Sequence, residues 1–399
     1  MLMLDTRPAT WRRPVAVLSL GAFAVGTDAF VIAGMLPDIS ASLDVSVAAA
    51  GQLVTVFAIS YALLAPVLAA FTGNWSRRTA LVAALITLAV GNAITALAPS
   101  YGWVLAARVV AAAGASLYTA GASATAASLA GDEQRGRAIA LVMTGLTASL
   151  ALGAPLGTAV GAALGWRATL WAVALLALLI VLVLFLLLPD VRLDAVAGLR
   201  ARLRPLRDRR VLVLLGATVL AFIGIYMPYT YVSAVYGPAV GTDGTMLALV
   251  LLLYGVAGTA GNLLAGHLAD RFGPRRVVLT VTLLLTVVFC VVPAVRSSFA
   301  PAIVAVVVNA MLAFMVTTPQ QHQMLAVAPP GGQAVVTALY QASGYLAVSL
   351  SGAVGGLLLS RVDAVWLTPV AACFVLAAAL LIWLGTRRPT GVANPGDAS

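Results

Sequence analysis

The 399-residue chain has no lysine, two histidines and two cysteines, and only 9% of its side chains are charged. Without lysine no Gly-rich loop can close on Gly-Lys-Ser/Thr, which removes the usual ATP-driven pump. Cys290 and Cys373 lie singly inside apolar runs and suggest neither a disulfide framework nor a metal site. Two separated histidines, His267 and His322, and one carboxylate within the apolar runs are a poor basis for a metal-dependent intramembrane enzyme. The expectation is a protein with no metal, no cofactor and no enzymatic activity.

Apolar residues fill the chain instead. At 62% hydrophobic residues and a mean hydropathy of +1.05, it lies outside the range of soluble domains. Apolar stretches occupy 14–36, 46–71, 79–98, 101–130, 136–164, 167–188, 211–236, 245–268, 276–295, 300–327, 333–359 and 364–386. These are helix-length, near the roughly 20 residues that cross a bilayer, rather than the short alternating strands of an outer-membrane barrel. Only helices satisfy their own backbone groups within lipid.

The net charge of +10 comes entirely from arginine, and the arginines follow loop parity. Arg7, Arg12, Arg13, Arg77, Arg78, Arg135, Arg137, seven residues between 192 and 210, Arg271, Arg275, Arg276, Arg387 and Arg388 fall on one side, against Arg167, Arg296 and Arg361 on the other. This positive-inside bias predicts a multi-pass protein of the cell (cytoplasmic) membrane with both termini in the cytoplasm. The basic balance is therefore topological and does not call for a nucleic acid partner. The first span exceeds a secretory apolar core and is expected to be retained.

The chain repeats at half its length. Gly145, Gly153 and Gly157 recur as Gly344, Gly352 and Gly356 at an offset of 199, and Arg77-Arg78 recurs as Arg275-Arg276 at 198. Gly26, ahead of Asp28, matches Gly224, ahead of Tyr226, at that same 198. The expected fold is an all-α membrane protein: twelve transmembrane helices in two six-helix bundles, with the substrate site between them. The bundles would be 1–188 and 211–399, joined by a basic linker at 189–210 whose Val196, Leu199, Leu203 and Leu206 form one apolar stripe for the membrane surface.

Two charges lie deep inside the apolar runs, away from their ends. Asp28 and Arg108 are at comparable depth, about 13 and 10 Å from the same face at roughly 1.5 Å per residue. Mid-bilayer charges cost about 2.5–3.5 kcal/mol each and mark transport paths facing a wet cavity or a partner. The pair is the expected proton- and substrate-coupling centre, in direct or water-bridged contact.

Several motifs carry a family resemblance. Gly266-His267-Leu268-Ala269-Asp270-Arg271-Phe272-Gly273-Pro274-Arg275-Arg276 resembles a loop signature of the major facilitator superfamily. In it Gly266 would allow close helix approach, Asp270 would accept bonds from a helix N-terminus, and the arginines would hold the loop in the cytoplasm. The first-half copy is degraded, with Leu68 where glycine and Thr72 where aspartate are expected. Gly145, Gly153, Pro155, Gly157 and Gly161 resemble the fifth-helix signature of drug:proton antiporters. Their close packing and bend would seal the two halves on the outer side. The segment from Arg108 to Gly114 is similar to the fourth-helix signature associated with proton transfer.

Tyr118, Tyr226, Met227, Tyr229, Thr230, Asn309, Tyr340 and Gln341 are the expected cavity residues, a Tyr- and Met-rich set that suits repacking around apolar molecules. The resemblance implies a proton-coupled exporter of drug-like or amphipathic small molecules, working by alternating access as a monomer in the lipid bilayer with the proton gradient as energy source. The alternative is a proton-coupled sugar or metabolite transporter of the same fold. Thr317 to Gln323 is read as a polar cap at the cytoplasmic interface.

Overall fold

The computed structural model describes residues 11–189, 204–241, 244–328 and 333–385. Twelve of their helices are long and apolar enough to span a membrane. These are α1 (Arg12–Leu43), α2 (Val47–Leu68), α3 (Arg77–Leu97), α4 (Tyr101–Gly131), α5 (Gln134–Leu164), α6 (Trp166–Leu187), α7 (Arg209–Thr230), α8 (Gly244–Phe272), α9 (Pro274–Val295), α10 (Phe299–Ala326), α11 (Val335–Leu359) and α12 (Ala364–Gly385). No strand occurs among the described residues. The linker stripe expected at 196–206 lies largely outside them; the described chain resumes with a tight 3-10 turn, Arg204–Arg207, and Asp208 caps α7 by accepting from the Arg210 N–H at 2.8 Å.

Local chemistry explains the breaks. Gly131, at φ 69° and ψ 174°, turns α4 into α5, and Gly273, at φ 84°, places Pro274 at the first turn of α9. Tyr231 ends α7 before a short helix, Val232–Val240, where a straight span to 236 was expected. A second break at Val316 divides α10.

Helices α1 to α6 pack mainly on one another, as do α7 to α12; α2 against α11 and α5 against α8 join the two groups. The sequence repeat has a structural counterpart. Arg78 Nη1 donates to the Phe185 carbonyl at 3.4 Å and Arg275 Nη2 to the Trp383 carbonyl at 3.2 Å, so each half ties its third helix to the C-terminal end of its sixth. A cation at a helix C-terminus also opposes the negative end of the dipole.

The joining contacts favour one end of the molecule. Near the arginine-poor end, a Cβ at Gly51 would overlap the Tyr231 ring, one at Gly352 the Thr55 hydroxyl, and one at Gly244 the Ala162 methyl. There the first-half core, Val31 to Ile39 and Ala50 to Val54, is continuous with that of α7 to α12. Toward the arginine-rich end the first half keeps a separate core, which includes Leu18, Tyr118 and Leu184. The bundles are fused at one end and separate at the other.

Candidate functional site

Between the bundles lies a cavity of about 100 Å³ lined from α1, α2, α5, α7 and α11. Its walls include Phe30, Phe57, Phe222, Tyr226, Tyr229 and Tyr345, with Thr230 and Gln341 as polar contributors. Phe30 and Tyr229, residues 199 apart, meet across the bundles. Their rings are edge-on at 6.0 Å, and the Tyr229 hydroxyl donates to the Phe30 carbonyl at 3.3 Å. Tyr345 stacks on Tyr61 of α2 at 3.6 Å between centroids, a second aromatic link across the interface.

Of the eight residues expected to line this space, Tyr226, Tyr229, Thr230 and Gln341 do so. The other four stand outside its lining. Tyr118 is buried within the first bundle, donating to the Leu18 carbonyl at 3.0 Å beneath Gly21. Met227 packs on Gly355, because neighbours in a helix point about 100° apart and Tyr226 takes the cavity side. Tyr340 donates to the Thr317 carbonyl at 3.1 Å. Asn309 is buried in the second bundle beside the Tyr236 hydroxyl.

Asp28 and Arg108 form a direct ion pair, Oδ1 to Nη1 at 2.8 Å, both 0% exposed. Arg108 Nη2 also approaches the Asp28 carbonyl at 3.4 Å, while Asp28 Oδ2 and Arg108 Nε have no partner among the described residues. The contact is direct rather than water-bridged, and the carboxylate does not open onto the cavity. Phe57 lies over the Arg108 end of the pair, its ring centroid 4.2 Å from the guanidinium carbon, and it is Phe57 that lines the cavity. The second half has no such pair: at the 198-residue offset Tyr226 and Val306 stand opposite Asp28 and Arg108.

The glycine-rich face of α5 packs against α1 of its own bundle. A Cβ at Gly145 would overlap the Ser19 carbonyl oxygen, one at Gly153 the Thr27 hydroxyl, and one at Gly157 the Val31 side chain, while Gly161 lies over Met35. The face therefore binds α5 to α1 rather than sealing the halves directly; the inter-bundle surface of α5 is the one that meets α8 at Gly255 and Gly244. Pro155 follows a π-helical turn at Ser149–Gly153.

Near the C-terminal end of α8, a Cβ at Gly266 would meet open space, so close helix approach is not its role. Asp270, Arg271 and Arg276 are exposed, and no hydrogen bond to a helix N-terminus holds Asp270 among the described residues. The polar run at 317–323 turns part of its side chains inward. Thr317 and Thr318 each donate to Asn262 Oδ1 at 2.7 Å, and Gln320 Nε2 reaches the Leu214 carbonyl at 3.2 Å and Thr218 Oγ1 at 3.1 Å, forming an internal polar seam at the break in α10.

Two pseudo-symmetric helical bundles enclosing a central aromatic cavity define a membrane transporter of small molecules. The Major Facilitator Superfamily model matches residues 18–239 and 214–399, and the chain belongs to that family of transporters, not to an enzyme class. It is 33% identical over 369 residues to the MFS-type transporter YbcL of Bacillus subtilis, covering 92% of this chain and 94% of that protein. It is 35% identical over 264 residues, 65% of this chain and 67% of the relative, to a chloramphenicol resistance protein of Streptomyces lividans. A bacterial homologue of the lysosomal transporter Spinster, solved inward-facing and unoccupied, shares the fold at a TM-score of 0.77 and 17% identity, over 96% of this chain and 98% of that one.

Proposed function

We propose that this transporter exports lipophilic, drug-like molecules from the cytoplasm or inner leaflet in exchange for protons, as a monomer and without a bound cofactor. The observation that carries the reading is the aromatic cavity with a lone buried ion pair directly behind its wall. Phenyl and phenol rings from both bundles suit apolar guests of varied shape, whereas a sugar needs many converging donors and acceptors. The chloramphenicol resistance relative supports the same substrate class.

With the arginine-rich end in the cytoplasm, fusion of the bundles at the opposite end corresponds to a molecule closed toward the outside. A cavity of about 100 Å³ is smaller than the roughly 300–1,000 Å³ of drug-sized sites, so loading requires the bundles to part on the cytoplasmic side. Asp28 is the proton carrier in this scheme: ionised, it holds Arg108; protonated at the free Oδ2, it releases the guanidinium and favours return inward. Expression in a drug-sensitive host challenged with chloramphenicol, ethidium and tetraphenylphosphonium tests the reading. Resistance abolished by a protonophore is the expected result. Gradient-driven uptake of a sugar, with no resistance to any of the three, would replace it with the metabolite-transporter alternative.

A further inference from the structure

The proposed proton carrier does not touch the cavity, so a residue that meets both the cavity and its ion-pair partner Arg108 must relay its charge state. Phe57 is that residue. Its ring is part of the cavity wall and lies 4.2 Å over the Arg108 guanidinium carbon, whose Nη1 is bound to Asp28 at 2.8 Å. From Phe57 a train of rings continues into the other bundle, with Tyr61 at 6.4 Å and Tyr345 stacked on Tyr61 at 3.6 Å.

We propose that Phe57 is the positioning residue through which proton and substrate compete, an inference that rests on proton-coupled export. With Asp28 ionised, the carboxylate pins the guanidinium under the Phe57 ring, and a desolvated cation–π contact holds that ring against the bundle, leaving the cavity to the substrate. When a proton from water joins Asp28 Oδ2, the ion pair breaks and the guanidinium leaves the ring face. Phe57 then swings into the cavity, displaces the substrate and disturbs the Tyr61–Tyr345 stack that links the bundles. A neutral substrate is thereby expelled without contacting either charge. The only charged groups in this assembly of described residues are Asp28 on α1 and Arg108 on α4; the other titratable groups facing it are the phenols Tyr61 on α2, Tyr226 and Tyr229 on α7 and Tyr345 on α11, which ionise only in alkali.

The test places a fluorine on the ring itself. Phe57 is replaced by para-fluorophenylalanine in the full chain reconstituted in nanodiscs, and fluorine NMR is recorded from alkaline to acidic pH beside an infrared titration of the carboxyl band that Asp28→Asn removes. The expected result is a fluorine line that shifts in step with protonation of Asp28 and that stays at its low-pH position at every pH in Asp28→Asn. If the carboxyl band titrates while the fluorine line stays fixed, the relay is wrong and Asp28 survives as the proton site. If no carboxyl band titrates, the proton-coupling reading falls, and the relay with it. Should Asp28→Asn fail to fold, the pH titration of the labelled chain alone distinguishes the same outcomes, with the carboxyl band identified by its downshift on selective labelling of aspartate with carbon-13.

Discussion

Removing one member of the Asp28–Arg108 pair should cost far more stability than removing both. The two charges lie in contact at 2.8 Å with no solvent exposure, and charge centres about 4 Å apart attract by roughly 4 kcal/mol at an effective dielectric constant of 20. Their separate desolvation largely cancels that attraction, so the pair contributes little net stability, but an orphaned partner loses the compensation, at about 3–5 kcal/mol. Asp28→Asn strands a guanidinium that cannot shed its proton and should show the full loss. Arg108→Met should cost less, because a stranded carboxylate can neutralise itself by taking up a proton. The double variant leaves no buried charge and should return to near the parent's stability, giving a coupling energy of at least about 3 kcal/mol in magnitude. Equilibrium unfolding of all four proteins in mixed micelles measures the cycle. Additive losses, with a coupling below about 0.5 kcal/mol, would refute the pairing.

Two glycine substitutions should differ in sign: Gly145→Ala drives a methyl into the Ser19 carbonyl and should destabilise by about 1–3 kcal/mol, whereas Gly266→Ala meets open space and should gain about 0.5–1 kcal/mol, both read in the same unfolding assay. Gly51→Ala forces the Tyr231 ring from its seat at the closed end and should shift the population outward-open, measured as faster labelling of a cysteine introduced at Thr55; unchanged labelling would argue against that seal. Cys290 and Cys373 are both exposed, so Cys290→Ser with Cys373→Ser should transport at the parental rate in the resistance assay and supply the background for such labelling.

The twelve spans were legible because hydropathy reports burial in lipid or protein alike, and the same property hid the cavity. On a helix that is apolar all round, composition gives no rotational phase, so Phe57, Ala29 and Val54 could not be told from lipid-facing neighbours. Asp28 and Arg108 stood out because charges are rare at that depth, and counting residues along α1 and α4 placed them level. It could not reveal that Phe57 closes them off. Tyrosines misled for a related reason. Tyr226 and Tyr229 line the cavity while Tyr118 and Tyr340 cross between helices to backbone carbonyls, a choice made by tertiary partners absent from any local pattern. For the run at 317–323, a depth counted from Pro301 could not reveal its partners Asn262 and Thr218 on other helices.

Proton coupling through Asp28 is tested most directly in proteoliposomes under an imposed pH gradient, comparing the parent with Asp28→Asn for a compound the parent exports. The parent should accumulate the compound against its gradient with countermovement of protons. Asp28→Asn, whose neutral side chain leaves Phe57 in the cavity, should neither accumulate the compound nor move protons. Undiminished gradient-driven accumulation by Asp28→Asn would contradict the account.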